Sequence, residues 1–192
     1  MARICVYCGS SFGASPEYTN VAKAFGSACA RRNLGIVYGG GNVGLMGALA
    51  DSAIAAGGEV IGVIPRFMID KELAHNGISD LIAVDSMHER KYRMAQLADA
   101  FVALPGEIGT LEEVIEVFTW LQIGIHLKPV GLLNANGFYD PLLSFLTHMR
   151  AEKFLSPEHY SMLTVENDTQ VLLDRLTATK HALTPKPVGR RV

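Results

Sequence analysis

Residues 35–56 read GIVYGGGNVGLMGALADSAIAA, and this stretch decides the fold. Gly35–Tyr38 is short, apolar and β-branched, which is typical of a strand buried on both faces. A run of three glycines follows. The Ala- and Leu-rich run from Gly44 to Ala56 then predicts a helix, which Gly57-Gly58 would end. The stretch therefore predicts a strand, a glycine-rich loop and a helix, the repeating unit of an α/β sheet.

The same alternation of strand and helix continues along the chain. Four signals mark the start of a helix: Ser15-Pro16, the S-x-x-E capping box that starts at Ser86, Asp140-Pro141, and Asp168 as an N-cap. We expect one α/β domain over residues 1–179, a Rossmann-like, doubly wound and mostly parallel sheet with helices on both faces. Residues 180–192 are expected to form a flexible tail. The seven predicted strands are Arg3–Cys8, Gly35–Tyr38, Glu59–Ile64, Leu81–Val84, Ala100–Leu104, Pro129–Leu133 and Met162–Val165.

Composition narrows the class of protein. The chain has 192 residues, of which 49% are hydrophobic and 19% charged, and its formal net charge is -2. These values exclude extensive disorder and argue against a dedicated nucleic-acid binder. No run of ~18 apolar residues predicts a membrane span. We therefore expect a cytoplasmic protein with neither a nucleic-acid nor a membrane partner.

The three cysteines do not indicate a disulfide framework or a metal site. Cys5 and Cys8 have C-x-x-C spacing, but they lie in a predicted strand, and no second Cys/His pair has zinc-ligand spacing. We predict that they are structural and that the chain has no metal ligands.

Glycine-rich loops follow three of the predicted strands, at residues 9–13, 39–44 and 105–110. Ligands of open α/β sheets bind outside the carboxyl ends of the strands. Glycine allows close backbone approach, and the helix after each loop offers free N–H groups and a positive dipole end. Together the loops predict a phosphate-containing ligand, although each loop is also explained as a tight turn.

Two nucleotide motifs are incomplete. Gly39-x-Gly41-x-x-Gly44 matches the dinucleotide fingerprint, but the next strand ends at Val63-Ile64-Pro65 without the acid that holds the ribose. Gly39 and Gly44 also have Walker spacing, but Leu45 stands where that motif has lysine. Neither a nicotinamide or flavin enzyme nor an ATPase is favoured, and no cofactor is predicted.

Charge at two helix starts gives a further signal. Arg90 and Lys91 lie in the first turns of a predicted helix, where cations oppose the helix dipole, and such a conflict is typical of a functional site. A solvated helix face is the alternative. Glu112 and Glu113 lie in the first turns of the next helix, where the dipole favours acids, so a structural role explains them equally well.

At these residues the chain resembles the LONELY GUY (LOG) family of cytokinin riboside 5′-monophosphate phosphoribohydrolases, which older usage named lysine decarboxylases. The family's hallmark is P-G-G-x-G-T-x-x-E, paired with R-K on the preceding helix. Arg90 and Lys91 match the R-K, and Glu113 matches the final glutamate. The resemblance extends from Arg3 to about Glu158, through the segments 3–11, 38–47, 60–65, 87–91, 105–113, 119–120 and 128–133.

The resemblance implies hydrolysis of the N-glycosidic bond of purine riboside 5′-monophosphates, AMP included, to free base and ribose 5-phosphate. It implies Arg90 and Glu113 as the catalytic pair and no metal or cofactor. It also implies a homodimer with the site near the interface; the apolar helix Thr110–Gln122 fits this, although a wholly buried helix is the alternative. The implied substrate-binding residues are Gly9, Ser10, Gly40, Gly41, Asn42, Glu72, Met87, Lys91, Pro105, Gly106, Glu107, Ile108, Gly109, Thr110, Leu111, Glu112 and Thr119.

Position 107 departs from the hallmark, because Glu replaces its second glycine. If the backbone there has a positive φ, a non-glycine residue costs ~1 kcal/mol or more. A carboxylate would also repel a phosphate dianion, unless the side chain points to solvent.

Two other classes of function stay open. One is a non-catalytic nucleotide-binding protein on the same scaffold, weakened by Glu107. The other is an amino-acid decarboxylase, which needs a Schiff-base lysine in a dry pocket. None of the candidate lysines has such a context in the sequence; they are Lys23, Lys71, Lys91, Lys128 and Lys153.

Overall fold

A computed structural model describes residues 1–69 and 73–179 of the chain. Its strands are β1 (Arg3–Tyr7), β2 (Gly35–Tyr38), β3 (Val60–Pro65), β4 (Asp80–Val84), β5 (Ala100–Ala103), β6 (Val130–Leu133) and β7 (Leu163–Glu166). They form one sheet in the order β4-β3-β2-β1-β5-β6-β7. Every pairing in it is parallel. All seven predicted strands are confirmed, and each boundary lies within one residue of its prediction.

The helices are α1 (Pro16–Arg31), α2 (Gly44–Ala55), α3 (Arg66–Ile69), α4 (Met87–Leu97), α5 (Ile108–Gln122), α6 (Asp140–Ala151), α7 (Pro157–Ser161) and α8 (Thr169–Ala178). A 3₁₀ turn spans Ala135–Gly137. The side chains of Ser15, Ser86 and Asp168 accept hydrogen bonds from the first turns of their helices, as their sequence positions predicted. The sequence analysis missed α3, α7 and the 3₁₀ turn, because they are too short to show a helical period.

Alternate residues of the central strands enter two separate cores, one on each face of the sheet. Ile4, Val6 and Ile36 pack against α1, α2 and α8, where Phe25 and Leu49 are fully buried. Residues of opposite parity, such as Cys5, Tyr7 and Val37, pack against α4 and α5. Burial on both faces explains why these strands are apolar nearly throughout, and it confirms the doubly wound arrangement.

The order of the strands in the sheet determines where the candidate site lies. The central strand β1 lies between β2 and β5, so the chain crosses over from one half of the sheet to the other at β1 and β5. The helices that follow these strands, α1 and α5, pack on opposite faces of the sheet, and the carboxyl edge between them is the crevice where α/β sheets bind ligands. All three glycine-rich loops follow β2, β1 or β5, so they meet at this crevice.

The cysteines, the helices and the C-terminal segment were the subject of further predictions from the sequence. Cys5, Cys8 and Cys29 are buried and free, and burial raises the pKa of the Cys5 thiol to about 12, which fits a structural role for the C-x-x-C spacing. None of the helices within residues 1–69 and 73–179 has the length and apolarity that a membrane crossing requires. The expected tail, residues 180–192, lies outside the described residues.

Candidate active site

The three glycine-rich loops are packed directly against one another. The N–H of Gly9 donates to the carbonyl of Pro105 at 3.1 Å, and a Cβ on Gly9 would lie 3.3 Å from the Cα of Gly106. Gly44 has a φ of +58°, and a Cβ there would lie 2.3 Å from the carbonyl carbon of Ser10. Part of the glycine content therefore serves loop packing, and the same packing brings the start of α5 beside the loop after β1.

Arg90 and Glu113 form a buried ion pair between α4 and α5, next to Gly39 at the end of β2. As whole residues, Arg90 and Glu113 are 9% and 8% exposed. Nη1 of Arg90 lies 3.1 Å from Oε1 of Glu113. Nε of Arg90 donates to the carbonyl of Val63 at 3.1 Å. A Cβ on Gly39 would lie 2.0 Å from Nη2 of Arg90, so this glycine leaves room for the guanidinium.

The environment of Glu113 makes its carboxylate more basic than that of an ordinary surface glutamate. Burial raises the pKa of its carboxyl group, and the charge of Arg90 opposes that rise. A carboxylate whose pKa is moved towards neutrality is a better general base than an ordinary surface glutamate. The pair thus combines a fixed cation with a basic carboxylate.

Lys91 belongs to a second ion cluster, next to the buried pair. Its Nζ lies 2.6 Å from Oε1 of Glu112 and 3.1 Å from Oε1 of Glu116. Burial works against the charge of Lys91, yet its hydrogen bonds to these two acids raise its pKa. Sequence reasoning missed Glu116, although its spacing of four residues from Glu112 puts both acids on one helix face. The cluster joins α4 to α5 beside the buried pair.

The start of α5 is open to an anion. Glu107 is the N-cap residue, but its side chain makes no cap hydrogen bond to the helix, so the first N–H groups of the helix have no partner within it. Ile108 is 80% exposed. Thr110 is buried, and a Cβ on Gly106 would lie 2.2 Å from its Oγ1. Free N–H groups and a threonine hydroxyl at a helix start are typical of phosphate sites.

The backbone of Glu107 is unstrained, with φ −81° and ψ −169°. Of the two conformations that the sequence left open, the structure has the one with negative φ, so Glu107 carries no cost for a left-handed backbone. The residue is exposed, but its carboxylate is hydrogen-bonded to the loop after β1. Its carboxylate accepts hydrogen bonds from the N–H of Ser10 at 3.0 Å, the hydroxyl of Ser10 at 3.1 Å and the N–H of Ser11 at 2.9 Å. Sequence reasoning missed Ser11, because its partner is 96 positions away.

The loop after β2 is covered by a later segment. The N–H of Asn42 donates to the carbonyl of Leu73, and the N–H of His75 donates to the carbonyl of Gly40. Gly40 and Gly41 are consequently buried, whereas the side chain of Asn42 is exposed. Glu72, the predicted substrate residue just before this segment, lies outside the described residues.

The other predicted residues divide into two groups. Met87 is the first residue of α4 and is partly exposed, three positions before Arg90. Thr119 lies about 9 Å further along α5 than Glu113, given a rise of ~1.5 Å per residue, and its hydroxyl donates to the carbonyl of Ile115. Thr119 and Leu111 line a groove between α5 and α6. Met87 therefore lies beside the buried pair, and Thr119 and Leu111 lie in the groove.

Within residues 1–69 and 73–179, cavities lie at the start of α5 and along it. One of about 100 Å³ is bounded by Ser11, Tyr18, Glu107 and Phe138. A second, of about 290 Å³, lies on the other side of Glu107. A third, of about 400 Å³, is the apolar groove between α5 and α6. Leu111 lines both the second and the third, so the groove continues from the glycine-rich loop.

Comparison with known proteins yields close relatives. The family described as "Possible lysine decarboxylase" matches residues 46–176. The "Probable cytokinin riboside 5'-monophosphate phosphoribohydrolase LOGL9" of Oryza sativa subsp. japonica is 47% identical over 174 residues, which is 91% of this chain and 77% of that protein. The "Cytokinin riboside 5'-monophosphate phosphoribohydrolase LOG7" of Arabidopsis thaliana is 50% identical over 155 residues, which is 81% of this chain and 71% of that protein.

Solved structures share the fold at lower sequence identity. A molybdenum cofactor carrier protein from Chlamydomonas reinhardtii superimposes with a TM-score of 0.71 at 22% identity, covering 93% of this chain and 99% of that chain. A molybdenum cofactor binding protein from Rippkaea orientalis gives 0.71 at 21% identity, covering 92% and 96%. At such identity the likeness concerns the fold alone.

Proposed function

Since the chain belongs to the LOG family, we propose that it hydrolyses the N-glycosidic bond of cytokinin riboside 5′-monophosphates, releasing the free base and ribose 5-phosphate. The observation that carries the proposal is the buried Arg90–Glu113 pair, which joins α4 to α5 next to Gly39 at the end of β2. The relatives' names supply the substrate class, and the pair supplies groups suited to glycosidic cleavage.

Glu113 has the central chemical role in this proposal. Cleavage of a glycosidic bond passes through an oxocarbenium-like state, and a nearby carboxylate stabilises its positive charge. The raised pKa of Glu113 also suits it to orient water or accept its proton as the water attacks the sugar carbon. Either role requires the carboxylate to stay ionised beside Arg90.

Arg90 positions both the carboxylate and the ligand. Its hydrogen bonds to Glu113 and to the Val63 carbonyl fix the guanidinium plane. Charge-assisted hydrogen bonds of this kind are short and directional. Arg90 therefore limits the side-chain freedom of Glu113, and its remaining donors face Gly39, at the end of β2, where the substrate would lie.

Phosphate binding at the start of α5 would orient the sugar over the pair. The N–H groups of residues 108–110 and the hydroxyl of Thr110 are the proposed donors. Binding energy from a phosphate remote from the scissile bond holds the reacting centre in place. This accounts for a 5′-monophosphate substrate, and we extend the proposal to AMP, which differs from the hormone precursors only at the base.

We also propose a homodimer in the cytoplasm. Phe145 and Phe154 are strongly exposed at the groove between α5 and α6, and a second copy of the chain would cover these side chains. That groove continues to the glycine-rich loop, so the interface would lie close to the site. Three free, buried cysteines suit a reducing compartment.

The candidate lysines give little support to a decarboxylase: Lys23 and Lys153 are exposed, and Lys71 lies outside the described residues. Lys91 is ion-paired with two glutamates. Lys128 precedes β6, at the amino edge of the sheet, and its Nζ donates to the carbonyl of Ala95. Neither offers a dry pocket at the crevice for a Schiff base. A non-catalytic nucleotide binder is favoured by one observation, the carboxylate of Glu107 inside the phosphate loop.

The test measures by chromatography how much free base is released from a cytokinin riboside 5′-monophosphate and from AMP. Glu113→Gln and Arg90→Met should each reduce the rate by at least ~100-fold. Glu59→Gln is the matched control, because Glu59 pairs with Arg3 at the opposite edge of the sheet. Tight AMP binding without turnover in the unaltered chain would instead establish the non-catalytic alternative.

A further inference from the structure

Glu107 fills a set of anion donors with its own carboxylate. Oε2 accepts the N–H of Ser10, and Oε1 accepts the N–H of Ser11 and the hydroxyl of Ser10. Two successive backbone N–H groups with a hydroxyl form the kind of concave donor set that binds phosphate oxygens. In this chain a protein side chain already occupies these donors.

These donors lie beside the proposed phosphate position. The Gly9–Pro105 hydrogen bond and the close approach of Gly9 to Gly106 hold the loop after β1 against the loop before α5. The cavity of about 100 Å³ that Ser11 and Glu107 line opens at the same place. A phosphate at the start of α5 would therefore lie next to the carboxylate of Glu107 and within reach of the donors it occupies.

The carboxylate of Glu107 is ionised at neutral pH. Burial acts against its charge, but the hydrogen bonds from Ser10 and Ser11 outweigh that effect and hold its pKa below the ordinary value. By Coulomb's law a unit charge ~5 Å from a phosphate dianion, screened as in bulk water, weakens binding about tenfold. Loss of the serine donors to Glu107 adds to that effect.

We propose that Glu107 is a specificity-determining residue that lowers the contribution of the substrate's 5′-phosphate to binding. The chain then prefers nucleotide over nucleoside by a smaller factor than it would with glycine at this position. The inference rests on the proposed function and refines its substrate class: the unphosphorylated riboside becomes a competing substrate.

Calorimetric binding of ribose 5-phosphate tests the proposal without any turnover. Glu107→Gly should bind this ligand at least about tenfold more tightly than the unaltered chain. Glu107→Gln should gain less, because its amide oxygen still accepts from the serine N–H groups while the charge is gone. Glu17→Gln removes an exposed carboxylate from the first turn of α1, and as the control for total charge it should change the affinity by less than about twofold.

Adenine binding is measured on the same variants to detect damage to the site. If adenine still binds and Glu107→Gly leaves the affinity for ribose 5-phosphate unchanged or weaker, the proposal is wrong. If Glu107→Gly loses adenine binding as well, Glu107→Gln decides, since it keeps a side chain of the same length. Absence of any gain in that variant would equally overturn the proposal.

Kinetics supply a second readout. The ratio of kcat/KM for AMP to that for adenosine should rise about tenfold in Glu107→Gly. A role of Glu107 in loop stability alone would change both substrates equally and leave the ratio unchanged. If the unaltered chain releases no base from any substrate, the proposed function is wrong. Calorimetric binding of ribose 5-phosphate would still test the role of Glu107.

Discussion

Replacing Arg90 with methionine would leave Glu113 as a buried carboxylate without its counter-charge. The two side chains are only 11% and 10% exposed, and methionine supplies bulk but neither charge nor a hydrogen-bond donor. Removing one partner of a buried ion pair typically costs ~3–5 kcal/mol. We expect Arg90→Met to lower the free energy of unfolding by about that amount at neutral pH, and Tm by roughly 6–20 °C for a chain of this size.

The loss of stability should depend on pH in a defined direction. Burial already raises the pKa of Glu113, and Arg90 opposes the rise, so removing Arg90 raises the pKa further. A carboxyl group whose folded-state pKa exceeds its unfolded value favours folding while protonated, and that contribution is lost as pH rises through the folded-state pKa. The deficit should therefore be largest near neutral pH and should shrink towards the ordinary glutamate pKa of about 4.3.

Urea unfolding, followed by the fluorescence of the single tryptophan, Trp120, measures both effects at about pH 5 and about pH 8. The double variant Arg90→Met with Glu113→Gln should be more stable than Arg90→Met alone, because a neutral amide needs no counter-charge. The expected coupling is about 1–3 kcal/mol. Additive single-variant effects, or a deficit of the same size at both pH values, would refute this reasoning.

Three further predictions follow from the same geometry. Glu113→Gln should lower kcat for base release ~10²–10⁴-fold with a much smaller change in KM. A raised KM with an unchanged kcat would instead indicate a role in substrate binding. Gly44→Ala should lower Tm far more than Gly57→Ala, because both glycines have positive φ but only at Gly44 would the Cβ meet backbone, 2.3 Å away; thermal unfolding compares them. Ile115→Lys should convert the proposed dimer to monomer by light scattering, and an unchanged mass would count against the groove between α5 and α6 as the interface.

The strands were predictable to within a residue because their burial is visible locally. A parallel strand covered on both faces needs apolar residues at nearly every position, and a glycine-rich loop follows β1, β2 and β5. The Ser86 and Asp168 caps were predictable for the same reason, since they bond within three residues of themselves. Short helices such as α7 lack a full apolar period and were missed.

The candidate site was predictable only in part. The unfavourable placement of Arg90 and Lys91 at a helix start drew attention to them, and the family resemblance named Glu113 as the partner. The ion pair itself joins residues 23 positions apart, and no local pattern indicates that distance. The sign of φ at Glu107 stayed open in the sequence, because a glycine in the hallmark is compatible with either sign and only the packing of the loop selects one.

Local patterning thus accounts for the elements of this chain, whereas the chemistry of the crevice depends on the order of the strands. The apolar period of an element, its glycines and its capping residues each act over a few neighbouring positions. They can therefore be recognised in the amino-acid sequence alone. The order β2-β1-β5 brings together loops that lie about thirty to one hundred residues apart. That apposition buries Arg90 with Glu113 and places the carboxylate of Glu107 on Ser10 and Ser11, because hydrogen bonds and charges act across space and take no account of distance along the chain.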